Sequence, residues 1–181
     1  GTLDNMGIIN NVNITRNLSS TETNGFDFQF DYTRPTEIGD IFAGINANYI
    51  IDFRQQASVT TPSVEVLNSL YNPVDLKLRG NIGLRSGNFT GSLFVNYTDG
   101  YKVDAANVEA WTTVDINLSY VFLHSQESWL KDVTLNLTAL NVFDEPPPST
   151  PAASRFGIAG YDPTNASPMK RVVAFEVRKK F

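Results

Sequence analysis

Apolar and polar side chains alternate with a period of two along most of this chain, and a helical period is nearly absent. Residues 75–85, DLKLRGNIGLR, place Leu76, Leu78, Ile82 and Leu84 on one face and Asp75, Lys77, Arg79, Asn81 and Arg85 on the other. GFDFQFDYT opposes Phe26, Phe28, Phe30 and Tyr32 to Asp27, Gln29, Asp31 and Thr33. IFAGINANYIIDF lines up Ile41, Ala43, Ile45, Ala47, Tyr49, Ile51 and Phe53. TVDINLSYVF lines up Val114, Ile116, Leu118, Tyr120 and Phe122 against Asp115, Asn117 and Ser119. VTLNLTALNVF and the terminal KRVVAFEVRKKF repeat the pattern, and weaker alternation at residues 8–18 and 89–98 brings the expected strands to eight. Only SVEVLNSLY admits a short helical turn. The chain reads as all-β.

The connections differ in length. Tight turns are expected at TRPTEIG and RSGN, a hairpin-like TETNG precedes them with its Asn-Gly pair, and HSQESWLKD is a shorter link. A medium loop is expected at DGYKVDAANVE, and long loops at residues 55–74 and at residues 144–169, the latter dense in the strand breakers Pro, Gly, Ser and Asn. Up-and-down strands with short turns at one end and long loops at the other suit an outer-membrane barrel, although the short first link spoils the alternation. Aromatic residues gather at the strand ends. Tyr32, Phe42, Phe89, Tyr120, Phe122, Trp129 and Phe181 fall near the tight turns; Phe26, Phe53, Tyr97, Tyr101, Trp111 and Phe143 fall near the long loops. Two such belts match the preference of amphipathic rings for the headgroup level. Alternation by itself fits a half-exposed antiparallel sheet in water equally well; the aromatic ends and the loop asymmetry move the reading towards a barrel.

Charge and composition narrow the picture. The net charge is −5, so no basic field exists to collect phosphates and nucleic acid is not an expected partner. There are no cysteines, which excludes a disulfide scaffold and thiolate metal sites. No run of eighteen apolar residues is present, so no transmembrane helix is expected. No signal peptide is visible in GTLDNMGIIN: it has been removed, or residue 1 is not the start of the gene product. The Asn-x-Ser/Thr triplets read better as polar ladders along strands than as glycosylation sites. His124 lies in a polar turn, and Asp144 with Glu145 adjoins three prolines, so neither suggests an enzyme. Asp99, Asp104 and Asp162 lie in loops without the dense acidic spacing of a calcium site. No catalytic residue, cofactor or metal is expected.

Two segments carry a more specific signal. LNLTALNVFDEPPP followed by GYDPTNASPMKRVVAFEVRKKF resembles the C-terminal end of a TonB-dependent outer-membrane receptor. Asn141, Val142, Phe143 and Asp144 match the end of that family's penultimate strand; Gly160, Tyr161, Asp162 and Pro163 match its Tyr-Asp-Pro segment; Arg171 matches the basic entry into the last strand. Lys170 departs from the glycine often found there. YTDGYKVDAANVEAWTTVDINLSYVF is similar to the preceding pair of strands. The resemblance implies that Val173, Phe175, Val177 and Phe181 form the signal read by the barrel assembly machinery, with the C-terminus in the periplasm. It implies a barrel of twenty-two strands enclosing a plug domain, a nutrient ligand such as siderophore-iron, cobalamin, haem or oligosaccharide, and energy supplied by TonB through the plug. Tyr71, Phe156 and Tyr161 are candidate ligand contacts in the loops. On this reading residues 1–181 are the last third or so of the barrel, one unit lacking the plug and the N-terminal strands. A self-contained eight-stranded barrel and a soluble β-sandwich binding module remain the alternatives.

Overall fold

The structure is a computed structural model and describes residues 20–103, 105–122, 131–150 and 160–180. The expected strand at residues 8–18, together with Asp104, His124, Trp129, Phe156 and Phe181, lies outside the described residues. The described chain is all-β: β1 (Ser20–Thr36), β2 (Gly39–Gln56), β3 (Val64–Glu65), β4 (Leu76–Ser86), β5 (Phe89–Thr98), β6 (Tyr101–Val103), β7 (Ala106–Val108), β8 (Trp111–Val121), β9 (Val133–Leu140) and β10 (Val172–Lys179). One antiparallel sheet runs in the order β1-β2-β4-β5-β8-β9-β10, with β3 added to β2. Neighbours in sequence are neighbours in space, as in a meander. Among the described residues β1 and β10 do not pair, so these seven strands form an open sheet, and the eighth strand of the barrel held as an alternative, at residues 8–18, lies outside the described residues.

Three sequence expectations are corrected. TETNG is no hairpin. β2 extends to Gln56 and gives that segment a partner, from Ser20 opposite Gln56 to Asn24 opposite Asp52. The Asn-Gly pair instead marks a bulge, with register shifting between Asn24 and Gly25. A Cβ on Gly25 would lie 2.4 Å from the Tyr49 carbonyl oxygen, which is why glycine stands there. The bulge adds one residue to β2, so Phe53 pairs with Thr23 and leaves the face it was expected to share with Ile41 and Tyr49. SVEVLNSLY forms no helical turn: Val64 and Glu65 pair with Gln55 and Arg54, and Asn68 and Tyr71 then take positive φ of 55° and 66°, which no helix continues. The loop at residues 99–109 contains the small hairpin β6–β7.

With TETNG absorbed into β1, most connections follow the asymmetry; the exception is the link from β8 to β9, residues 122–132, which joins strand ends on the tight-turn side yet is about as long as the link from β5 to β8, residues 99–110. The turns joining β1 to β2 and β4 to β5 are tight, and the connections joining β2 to β4, β5 to β8 and β9 to β10 are long and share the opposite end of the sheet. Gly39 closes the first tight turn at φ +130°, where a Cβ would meet the Arg85 carbonyl oxygen at 2.3 Å. The one cluster of buried apolar side chains among the described residues lies under the long loops, where Val74, Tyr101 and Val108 pack with Val103, and not on the sheet.

Candidate functional site: two faces and a loop clasp

Cross-strand partners share a face, so the register sorts the side chains. One row runs across all the strands of the path: Arg34, Ile41, Leu84, Gly91, Leu118, Leu137 and Phe175. The next holds Tyr32, Ala43, Ile82, Leu93, Ile116, Ala139 and Val173. Further rows add Phe30, Ile45 and Val95, then Phe28, Ala47, Leu78 and Tyr97. Large side chains on this face stand open, with Phe26 at 67% and Phe175 at 65% exposure. Six strand spacings of about 4.8 Å and a band of about 20 Å along each strand give on the order of 600 Å² in projection. That lies at the upper limit of the apolar patches found on monomers.

The opposite face is polar and bonded to itself. The Arg79 guanidinium donates to Asn96 Oδ1 at 2.8 Å, lies 3.7 Å from Asp115 and stacks 4.5 Å over the Phe94 ring centre. Asn96 Nδ2 donates to Asp115 Oδ2 at 2.9 Å and to Thr113 at 3.1 Å, and the Asn141 amide donates to Asp115 Oδ1 at 3.0 Å. Asn117 donates to Thr138 at 2.9 Å and Asn136 to Glu176 at 3.3 Å, so three of the Asn-x-Ser/Thr triplets build the polar ladder read from the sequence. A cleft of about 610 Å³ opens on this side, lined among others by Asp27, Gln29, Asn48, Lys77, Arg79 and Asn96.

The third element is a clasp at the long-loop end. Asp162, 2% exposed, accepts from the Tyr101 hydroxyl at 2.5 Å, Asn165 Nδ2 at 2.9 Å, the Thr164 amide at 2.9 Å and the Tyr71 amide at 3.3 Å. Asn165 also donates to the Asn72 carbonyl at 2.8 Å. One carboxylate thus joins three connections. Burial and the bond to Asp162 hold the Tyr101 hydroxyl well above the ordinary phenol range. Glu65, by contrast, is held below the usual carboxylate range by the amides of Phe53 and Leu67.

The sequence-derived residues fall into separate roles. Val173, Phe175 and Val177 share the open apolar face, as expected. Asn141, at φ 48°, closes the end of β9: its side chain donates to the Glu145 carbonyl and accepts the Glu145 amide, both at 2.9 Å. Asp144 accepts the Arg171 amide at 2.8 Å and starts β10. Asn141, Asp144 and Arg171 therefore form one strand junction, while Phe143 points outward, 75% exposed. Gly160, at φ +52°, accepts the Thr150 amide at 2.8 Å through its carbonyl and precedes the clasp formed by Asp162. Tyr161 and Pro163 flank that residue. Tyr71 is partly buried, its hydroxyl enclosed without a protein partner, so it packs within the loops and presents little to a ligand. The belts are thinner than the sequence suggested: Tyr32, Phe89, Tyr120, Phe26 and Tyr97 lie on the apolar face, but Phe42 pairs with Gly83 on the polar face and Tyr101 is buried. Asp99 engages Tyr97 and the Gly100 amide, and Asp162 is filled by its four donors, so they share no vacant metal position. No cluster of His, Cys, Asp or Glu suited to a metal ion occurs among the described residues. Reading the sequence missed the bonding roles of Asp115, Tyr101 and Asn165. Asp115 carried a visible signal, a lone carboxylate within an amide-rich face; the other two gain meaning only from contacts far along the chain.

No protein-family model, curated protein or solved structure matches this chain.

Proposed function

We propose that this chain is wall and loops of a TonB-dependent outer-membrane receptor, the C-terminal portion of its barrel. The observation that carries the reading is the two-faced sheet: an open apolar face on every strand, backed by a hydrogen-bonded polar face. On β5, Phe89 and Tyr97 bracket Leu93 and Val95 over about 26 Å of strand, which at the tilt of about 40° usual in such barrels covers roughly 20 Å of an apolar band about 25 Å tall. In water that face needs a covering layer; in a bilayer it needs none. The terminal motif supplies the family.

In this reading the apolar face meets lipid and the polar face lines the conduit around a plug domain. The three long connections lie outside the cell, where a scarce nutrient such as siderophore-iron, cobalamin, haem or an oligosaccharide is captured. Transport follows when TonB pulls on the plug. Val173, Phe175, Val177 and Phe181 act earlier, as the signal engaged by the barrel assembly machinery, and the tight turns and the C-terminus face the periplasm. The test is extraction of the native polypeptide from its source membranes. A detergent requirement, heat-modifiable migration and a denatured mass several times 20.0 kDa are the expected results. A polypeptide of about 20.0 kDa that leaves the cells without detergent overturns the proposal.

A further inference from the structure

The apolar face carries a furrow. Gly91 stands between Leu84 and Leu118 in its row and contributes no side chain. The hollow left there has a volume of about 420 Å³ and is walled by Ile41, Ile82, Leu93, Ile116 and Leu118. A methyl at Gly91 would already lie 3.1 Å from the Phe89 ring and 3.4 Å from Leu118, so any side chain at that position intrudes into the furrow. Ile38 lines the furrow as well as Ile41, and the cross-strand partner of Ile41 is Arg34. Arg34 shares the apolar face, near the tight turn, and is exposed. Among the described residues it makes no ion pair, whereas Arg85, on the polar face, stands opposite Asp40.

A guanidinium on an otherwise apolar surface needs an anion or water, and its planar fork matches phosphate oxygens. Near a bilayer interface such a cation reaches the headgroup level while apolar surface continues below it. We propose that the furrow and Arg34 form a seat for one glycerophospholipid, an acyl chain lying over Gly91 and the phosphodiester held by Arg34. The inference rests on the membrane reading above and adds a defined lipid site to it. Charge complementarity selects the occupant: a neutral apolar partner would leave Arg34 uncompensated.

The test uses the full protein purified in mild detergent and titrated with phosphatidylglycerol or with diacylglycerol of the same chains, bound lipid being counted by native mass spectrometry. Wild-type protein is expected to retain phosphatidylglycerol at least about tenfold better than diacylglycerol, the range of a charge-assisted hydrogen bond. Arg34→Ala is expected to abolish that preference. Gly91→Val is expected to lose both lipids, and Ile82→Phe, which narrows the same furrow from its wall, tests the point again should Gly91→Val fail to fold. Equal retention of the two lipids by wild type, or retention unchanged by both furrow variants, overturns the proposal. Detergent-dependent extraction of the wild type reports on the membrane reading separately, so a protein that requires detergent yet keeps no lipid refutes the seat alone.

Discussion

Asp162→Ala removes the acceptor on which three connections converge. Four donors lose their partner, but unequally. Asn165 keeps the Asn72 carbonyl, and the 3.3 Å bond from Tyr71 is the weakest. Thr164 is exposed, so water can replace the lost acceptor there. The Tyr101 hydroxyl is buried and is left with no acceptor, which costs about 1–3 kcal/mol on top of the lost charge-assisted bond. We expect the clasp to weaken by about 3 kcal/mol, or roughly 100-fold in its opening equilibrium. Hydrogen exchange on the intact protein reads this directly, because local opening sets exchange in loops. Peptides covering residues 64–74, 101–108 and 160–166 should all exchange faster by that factor, while β4, β5 and β8 keep their protection. Asp162→Asn, which retains one acceptor oxygen, should give a smaller change in the same three segments. Acceleration confined to residues 160–166 would refute the reasoning, since Asp162 would then hold only its own turn.

Two further outcomes follow from the same geometry. The raised Tyr101 pKa means that the neutral phenol is the form favoured when folded, so its contribution is complete below about pH 10, the unfolded value, and is lost as pH climbs towards the higher folded value. Protection factors in the three loop segments, referred to the intrinsic exchange rate at each pH, should therefore fall above about pH 10, and Tyr101→Phe should remove that alkaline loss. On the membrane reading proposed above, Leu93→Arg places a charge in the middle of the lipid-facing side and should destabilise the protein in vesicles by about 2–4 kcal/mol, while Asn117→Lys on the polar face should cost far less. Equal effects in denaturant titrations from lipid vesicles would show that the two faces do not meet different solvents.

How much of this was legible depended on how local the deciding interaction is. The alternation in β4 states both faces outright, because Leu76, Leu78, Ile82 and Leu84 keep strict parity with Lys77, Arg79 and Arg85. Asn24-Gly25 was misread because a tight turn and a bulge ask for the same residues, and the choice between them belongs to the distant pairing of Ser20–Asn24 with Asp52–Gln56. Phe53 changed sides for the same reason. Asn141 and Asp144 were visible as a motif but not as a mechanism; the mechanism needs Glu145 and Arg171 brought against them. Asp162 likewise stood out beside Tyr161 and Pro163, yet its strongest donor, Tyr101, is 61 residues earlier. No local pattern encodes that contact.

The open edges carry the last consequence. Every step across the seven-strand path is antiparallel, so β1 and β10 run in the same direction. An antiparallel barrel cannot close by joining them and needs an odd number of further strands. The single strand read at residues 8–18 meets this condition, and so does the complement of a twenty-two-stranded barrel. Some partner is obligatory if the apolar band lies in hydrocarbon. Between Phe26 and Tyr32, alternate residues of β1 point their amides and carbonyls away from β2, about six groups in all, each costing several kcal/mol if left unpaired in lipid. The sum, on the order of 20 kcal/mol, exceeds the whole stability of an ordinary domain. Residue-resolved hydrogen exchange on the native protein should therefore find both alternate sets of β1 amides protected for hours, the set facing away from β2 as well as the set facing it. If the outward set exchanges within minutes, that edge stands in water. The apolar face could not then lie in a bilayer with β1 as its border, and the membrane assignment would fail with it.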